Sequence, residues 1–287
     1  MSDRYAVIGH PIQHSKSPLI HGLFAQACGH SLRYEALEGP LTPADGFERQ
    51  VLDFRAAGGL GLNITAPFKL RACALADERS ERAALAGAAN ALKFEGGRIL
   101  AENFDGIGLR RDIEVNLQCP LAGRRVLLLG AGGAARGALL PFLAAGPATL
   151  VLANRDEAKA HALVAEVAAV AAGRQGQPGA ATLQACGYGE LAAQGRFDLV
   201  VNATSASLTG QLPPVPASVF SPMGTAYELA YGKGLTPFLA LARQAGVRGV
   251  ADGVGMLVEQ AAEAFAWWRG VRPATTAVID RLTVPLD

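Results

Sequence analysis

Six consecutive small residues, Gly130-Ala131-Gly132-Gly133-Ala134-Ala135, carry the most readable chemistry in this 287-residue chain. They follow the apolar stretch 125–129, expected as a buried strand, and precede an expected helix over 134–145. That is the G-x-G-x-x-A pattern in its strand–turn–helix setting. The first glycine permits a tight turn, the second lets the backbone approach a pyrophosphate, and the small third position lets helix and strand pack closely. The helix start adds amide donors for an anion. A nicotinamide dinucleotide is the expected ligand, and hydride transfer is the chemistry it brings. At the end of the next strand the turn reads Asn154-Arg155-Asp156-Glu157. Arg155 suits a ribose 2′-phosphate by charge and stacking. Asp156 would repel that phosphate and accept from a free hydroxyl, or it simply caps the helix beginning at Glu157. The reading favours NADP, with NAD also open.

A second set of polar residues lies at expected strand ends in the first third of the chain. Asn63-Ile64-Thr65-Ala66-Pro67-Phe68-Lys69 finishes a buried strand, breaks at proline, and places a lysine where the next helix starts. Asn90 follows a helix, and Asn103-Phe104-Asp105-Gly106 closes a hairpin strand and opens another helix. Each alone is an ordinary surface charge, turn or cap. Together they put polar side chains where α/β proteins hold their ligands. His14-Ser15-Lys16-Ser17-Pro18 has two readings. Ser17 is an N-cap before a helix-starting proline, or two hydroxyls and a lysine at a helix start form a carboxylate cradle.

Positioning these groups requires alternating strands and helices, which glycine punctuates throughout. Strands are expected over 5–9, 33–37 and 61–65, with helices over 18–28, 43–57, 68–76 and 80–86. A hairpin pairs 91–94 with 98–101. The second block continues from 125–129 with strands at 150–153, 199–202, 226–229 and 247–251. Its helices are 134–145, 157–172 and 237–244, and residues 173–179 form a surface loop. Helices over 256–268 and 275–282 close the chain, with Trp267 and Trp268 as apolar anchors.

Half of the residues are hydrophobic and the formal net charge is +1, which excludes disorder and gives no electrostatic case for nucleic acid. The length favours two domains. Cys28, Cys73, Cys119 and Cys186 are far apart with no CxxC pair, so reduced thiols in a cytoplasmic protein are expected. The five histidines show no ligand spacing, and no metal is expected. The first residues run straight into a strand, unlike a signal peptide, and the apolar runs are too short to span a bilayer. A small molecule is the expected partner, without nucleic acid or membrane, for a monomer or homodimer.

In order along nearly the whole chain, VIGHPIQHSKSPLIH, NITAPFK, ERAALAGAANAL, ENFDGIG, GAGGAARG, NATSAS, YGKGLTPFL and ADGVGMLVEQAA resemble the shikimate dehydrogenase family. The SKSP, PFK, N-x-D-G and DG-x-GML-x-x-QA elements are together specific to it. The resemblance implies an α/β fold with an N-terminal substrate-binding domain, residues 1–104, completed by C-terminal helices in 256–287. A Rossmann-type dinucleotide-binding domain would occupy 105–255. It implies reversible NADP-dependent reduction of 3-dehydroshikimate to shikimate, with Lys69 and Asp105 as the catalytic pair. By position, Ser15 and Ser17 would hold the substrate carboxylate with Tyr231 close by, and Asn63, Thr65, Asn90 and Gln260 would address the ring and its hydroxyls. Gly130, Ala131, Gly132, Gly133, Ala134 and Ala135 would line the pyrophosphate, Asn154 and Arg155 the adenosine end, and Leu229 and Gly253 the nicotinamide end. Glu81 would brace the cleft or contact the cofactor, with bracing favoured.

Two positions depart from the family pattern. Phe104 stands where threonine is usual before the catalytic aspartate. Facing the substrate, its ring would change the pocket; turned away, only a hydrogen bond is lost, about 0.5–1.5 kcal/mol. Asp156 stands where the N-R-T turn has threonine, which weakens strict NADP preference. These departures keep open quinate, aminoshikimate or another shikimate-like substrate with NAD or dual cofactor use. A non-catalytic NAD(P)-binding sensor is the remote alternative, against which Lys69 and Asp105 argue.

Overall fold

The computed structural model describes residues 2–172 and 181–286, and the loop expected over 173–179 lies outside them. The chain divides into two compact units, Met1–Gly108 with Val258–Arg281 and Leu109–Leu257 with Leu282–Asp287.

The first unit begins with β1 (Asp3–Gly9), α1 (Ser17–Cys28), β2 (Leu32–Glu38), α2 (Gly46–Ala56) and β3 (Gly59–Ile64). After it come α3 (Lys69–Leu75), the short β4 (Glu78–Arg79), α4 (Glu81–Ala86), β5 (Ala91–Glu95) and β6 (Arg98–Glu102). These strands form one mixed sheet in the order β2-β1-β3-β5-β6-β4. β1 runs parallel to β2 and β3, while β5 is antiparallel to β3 and β6. One core lies between the sheet and α2 and α3, where Ile8, Phe47, Val51, Leu62, Ile64, Phe68 and Leu92 are buried. Phe47 and Phe68 stack with centroids 4.7 Å apart. Burying an aromatic side chain of this kind contributes about 1.5–3 kcal/mol, and it fixes the chain immediately before Lys69. Helix α5 (Asp105–Arg111) then carries the chain out of the first unit, continuing into a wide helical turn over Asp112–Asn116.

The second unit holds β7 (Arg125–Leu129), α6 (Gly133–Ala144), β8 (Thr149–Asn154), α7 (Glu157–Ala172), β9 (Thr182–Gly187), β10 (Phe197–Asn202), β11 (Phe220–Glu228), α8 (Pro237–Gln244) and β12 (Gly249–Asp252). Its sheet is wholly parallel in the order β12-β11-β10-β7-β8-β9. Both faces of β7 are covered, which is why Val126–Leu129 is a continuous apolar run. The order reverses between β7 and β10, the place where doubly wound sheets bind ligands. α9 (Val254–Arg269) returns to the first unit, followed by α10 (Thr276–Leu282).

The divisions at 108/109 and 257/258 fall inside α5 and α9, a few residues beyond the expected 104/105 and 255/256. Leu282–Asp287 groups with the second unit, where Leu286 packs on its core, instead of completing the first. β9 went unpredicted. It is an edge strand whose first four residues alternate exposed and half-buried, with no apolar run to announce it. β11 starts six residues before the strand expected over 226–229, because Pro222 and Gly224 interrupt its first half and Pro222 and Met223 are exposed.

Candidate active site

Lys69 is the first residue of α3, and its Nζ lies 2.6 Å from Asp105 Oδ2. Asp105 opens α5, with its backbone N–H donating to Asn103 Oδ1 at 3.1 Å. Its other carboxylate oxygen accepts from Asn90 Nδ2 at 2.8 Å. Asn90 is buried, and its amide nitrogen also donates to Gln260 Oε1 at 3.2 Å while its Oδ1 accepts from the Phe104 backbone N–H at 2.9 Å. Both Asn90 amide hydrogens are therefore used within the protein, chiefly to orient Asp105. Gln260 reaches this cluster because α5 and α9 approach closely at Gly108, where an added Cβ would stand 2.6 Å from the Gln260 nitrogen. Behind the cluster, buried Glu102 accepts from Ser80 Oγ, Arg82 and the Asn103 N–H. That brace holds the 102–105 turn.

Phe104 does not face this cluster. Its ring is buried with Ala91 and Ala264, edge-on to Trp267 and beneath the Arg82 guanidinium. The pocket-altering orientation is thus not the one adopted.

Asn63 is buried at the end of β3, where its Oδ1 accepts from Tyr34 Oη at 2.6 Å and its Nδ2 faces the Asn90 carbonyl at 3.3 Å. Thr65 follows, half-buried, and its methyl group would collide with a Cβ at Gly9. Of the two readings of Ser17, the helix cap is not the one adopted. The cap position is Lys16, no side chain caps it, and Ser15 Oγ accepts the Ser17 N–H at 3.3 Å. The Ser17 hydroxyl is left free of capping; it is buried and interacts with the Tyr34 phenol. His21, one turn on, is 1% exposed and stacks flat on Tyr34 at 4.3 Å. Neither ring nitrogen has a partner in hydrogen-bonding geometry, although the Asn63 side chain is near enough to favour its charged form slightly. Burial dominates and lowers the His21 pKa to about 3. Burial likewise pushes the Tyr34 phenol up.

The second unit gathers the glycine-loop residues. Gly130 has φ +99°, and an added Cβ would meet the Ala203 carbonyl oxygen at 3.2 Å, so only glycine fits comfortably. Ala131 is buried and Ala135 fully so, under the first turn of α6. At Gly132 and Gly133 an added Cβ meets nothing within 4 Å. Open space over amide donors at a helix start fits a pyrophosphate, and Ala134 beside them is half-buried. Asn154 Nδ2 donates to the Asp156 carbonyl at 2.8 Å. Asp156 Oδ1 accepts the Lys159 N–H at 3.2 Å, so its carboxylate caps α7. Arg155 is exposed, and its charge reaches the half-buried Tyr188 phenol just after β9. Leu229 and Gly253 meet, since a Cβ on Gly253 would lie 2.1 Å from the Leu229 carbonyl oxygen. Tyr231 is exposed two residues further on.

Sequence reasoning passed over Tyr34 and His21, and also Glu228. The Glu228 carboxylate is fully buried and accepts from Asn202 Nδ2, Ser207 Oγ, Thr236 Oγ1 and the Ala230 N–H. Burial raises its pKa against those four donors. It braces the ends of β10 and β11 beside Leu229. Its isolated acidic letter in an apolar strand was the available signal, since buried carboxylates need partners. Glu81 is exposed at the start of α4. Among the described residues no group of three or more His, Cys, Asp or Glu side chains is arranged to hold a metal, and no helix is long and apolar enough to cross a membrane.

A mixed-sheet unit carrying a lysine–aspartate pair, joined to a parallel doubly wound unit with a glycine loop at its switch point, defines a nicotinamide-dependent dehydrogenase architecture. Two family models match: the shikimate dehydrogenase substrate binding domain over residues 7–92, and the shikimate 5′-dehydrogenase C-terminal domain over residues 253–283. A shikimate dehydrogenase (NADP(+)) of Aromatoleum aromaticum is 55% identical over 286 residues, covering 99% of this chain and 98% of that one. Among solved structures, an Ael1 enzyme from Pseudomonas putida is 67% identical with full coverage of both chains and a TM-score of 0.92. Shikimate 5-dehydrogenase from Thermus thermophilus, in complex with NADP(H) and shikimate, is 31% identical, covers 97% of each chain, and has a TM-score of 0.82. The chain belongs to the shikimate dehydrogenase family.

Proposed function

We propose that this protein catalyses the reversible NADP-dependent reduction of 3-dehydroshikimate to shikimate. The observation that carries the reading is the 2.6 Å contact between Lys69 Nζ and Asp105 Oδ2, with Asn90 holding the other Asp105 oxygen. The first unit binds the cyclic acid and the second binds the dinucleotide, which when bound supplies or accepts the hydride. As charge grows on the carbonyl oxygen, the Lys69 ammonium donates a proton to it. Asp105 keeps Lys69 aimed and shares the resulting hydroxyl's hydrogen bond. In oxidation the same pair removes the proton.

The remaining roles are the ones that the family resemblance implies. Ser15 and Ser17 take the substrate carboxylate, with Tyr231 a further hydroxyl for it. Asn63, Thr65 and Gln260 address the ring hydroxyls, and Asn90 acts mainly through Asp105. Gly130, Ala131, Gly132, Gly133, Ala134 and Ala135 receive the pyrophosphate. Arg155 takes the 2′-phosphate from a turn that Asn154 shapes, and Leu229 and Gly253 flank the nicotinamide. The buried Phe104 ring favours shikimate over an enlarged or altered substrate. We place the enzyme in the cytoplasm, as a monomer or homodimer; four free cysteines support a reducing compartment.

Initial rates with shikimate and quinate, each with NADP and NAD, test this in wild type and Lys69→Ala. Shikimate with NADP should be the best pair. Lys69→Ala should lower kcat by roughly 10²–10⁴-fold with KM changed far less. Negligible turnover of shikimate with either cofactor would overturn the assignment.

A further inference from the structure

Asn63 can serve a substrate only if its amide faces a known way, and neighbouring groups decide which. The Asn90 carbonyl can only accept, so the amide nitrogen of Asn63 turns toward it, at 3.3 Å. That contact is long. The short one, 2.6 Å, is on the opposite side, where Tyr34 Oη meets Asn63 Oδ1 and must therefore donate. Tyr34 reaches it from two strands away. In register Tyr34 lies beside Tyr5, which lies beside Gly61, so the phenol crosses β1 and leans two positions along the sheet to Asn63. His21 lies flat against the tyrosine ring, with an interplanar angle of 6°, and Phe24, Phe265 and Trp268 surround the imidazole. The ring direction is thus fixed by packing.

We infer that Tyr34 is a positioning residue for substrate binding: its hydroxyl locks the Asn63 amide so that a nitrogen-bound hydrogen, not the carbonyl oxygen, is offered to a substrate oxygen. The inference rests on the reading above that Asn63 addresses the substrate. With Oδ1 taken by Tyr34, one amide hydrogen directed at Asn90, and the nearby His21 ring nitrogens in hydrogen-bonding geometry with no group, the second amide hydrogen is what remains for a ligand. The same phenol interacts with the Ser17 hydroxyl, so one group ties the start of α1 to the end of β3. Without the tyrosine hydroxyl, Oδ1 would be a buried acceptor lacking a donor, which is costly, and the amide would rotate to find one.

The test compares Tyr34→Phe, Asn63→Ala, Asn63→Asp and the double variant Tyr34→Phe/Asn63→Ala, reading kcat, the KM of shikimate and the KM of NADP. Thermal midpoints are recorded alongside. Tyr34→Phe keeps the ring and its stack on His21, so the fold should survive. The KM of shikimate should rise about tenfold, the scale of one well-made hydrogen bond, with kcat and the KM of NADP within about threefold. Asn63→Asp keeps an acceptor for Tyr34 but offers no hydrogen, so its shikimate KM should rise at least as far as that of Asn63→Ala. Tyr34→Phe should add nothing further in the Asn63→Ala background. If Asn63→Ala weakens shikimate while Tyr34→Phe does not, or if Asn63→Asp binds as wild type does, the positioning role is overturned. If Asn63→Ala leaves the shikimate KM unchanged, the reading of Asn63 falls, and this inference with it.

Discussion

Phe104 and Trp267 meet edge to face, with ring centroids 5.7 Å apart and planes at 70°. The contact turns the phenyl ring toward α9 and leaves only its backbone N–H for the catalytic cluster, where it donates to Asn90. The substitution that most set this chain apart from its family is therefore a packing choice. Restoring threonine would empty a buried ring's volume and bury a hydroxyl. Phe104→Thr should cost roughly 3 kcal/mol of stability, measured by urea denaturation, while the shikimate KM stays within about threefold. A tenfold fall in that KM would show that the ring does shape the pocket.

Asn90 holds three partners at once: Asp105, Gln260 and the Phe104 N–H. Asn90→Ala removes the donor that aims Asp105 and leaves a buried N–H unsatisfied. Turnover should fall about a hundredfold, within the range for general acid–base groups, and stability by roughly 1–3 kcal/mol. Steady-state kinetics beside chemical denaturation separates the two. Loss of stability without loss of kcat would make Asn90 a purely structural residue.

His21 links pH to stability. Its folded pKa is lowered to about 3 from 6.5, so between those values the unfolded chain binds more protons than the folded one. Stability then falls as pH drops below 6.5, by up to about 1.4 kcal/mol per unit. His21→Phe keeps an aromatic platform under Tyr34 and removes this term. From pH 8 to pH 5 the wild type should lose about 2 kcal/mol more than the variant. Equal losses would mean that His21 binds its proton as readily in the fold as in the unfolded chain.

Asp156 caps α7 through the Lys159 N–H, which occupies the carboxylate that would otherwise discriminate against NADP. Asp156→Ala should cost about 1 kcal/mol of stability and change the NADP-to-NAD ratio of kcat/KM less than about threefold. Arg155→Ala should instead lower that ratio by at least about tenfold, an effect on the scale of a charge-assisted hydrogen bond. A large rise in the ratio for Asp156→Ala would show that the carboxylate faces the ribose.

What the sequence made legible was whatever is local. The glycine loop is contiguous, and each of its letters has a backbone reason, so Gly130 and Ala135 were placed from pattern alone. Lys69 and Asp105 lie 36 residues apart, and periodicity says nothing of their meeting; family resemblance supplied the pair. Of the two readings open for Ser17, the cap is the one not adopted, because Lys16 took the cap position although Ser-Pro is a genuine helix-start signal. Tyr34 reads as an ordinary strand aromatic, since its importance lies in what stands two strands away. β9 escaped because an edge strand with half-exposed residues lacks the apolar run that betrays β7.

Asn90 and Gln260 are hydrogen-bonded across 170 positions of chain, and the whole stretch Leu109–Leu257 intervenes before α9 comes back to its own unit. On a ribosome this inverts the usual order of assembly. The early part of the chain emerges first but lacks the helix that seats Gln260 and buries Phe104. At 5–20 residues per second it must wait roughly seven to thirty seconds for it. The contiguous second unit is available to fold in the meantime. Newly made chains thus carry an exposed apolar face at β3 and β5, where Gly61, Ala91 and Leu92 await Ala264 and Trp268, until translation is nearly over, and destabilising substitutions there should lower the yield of protein before they touch its rate.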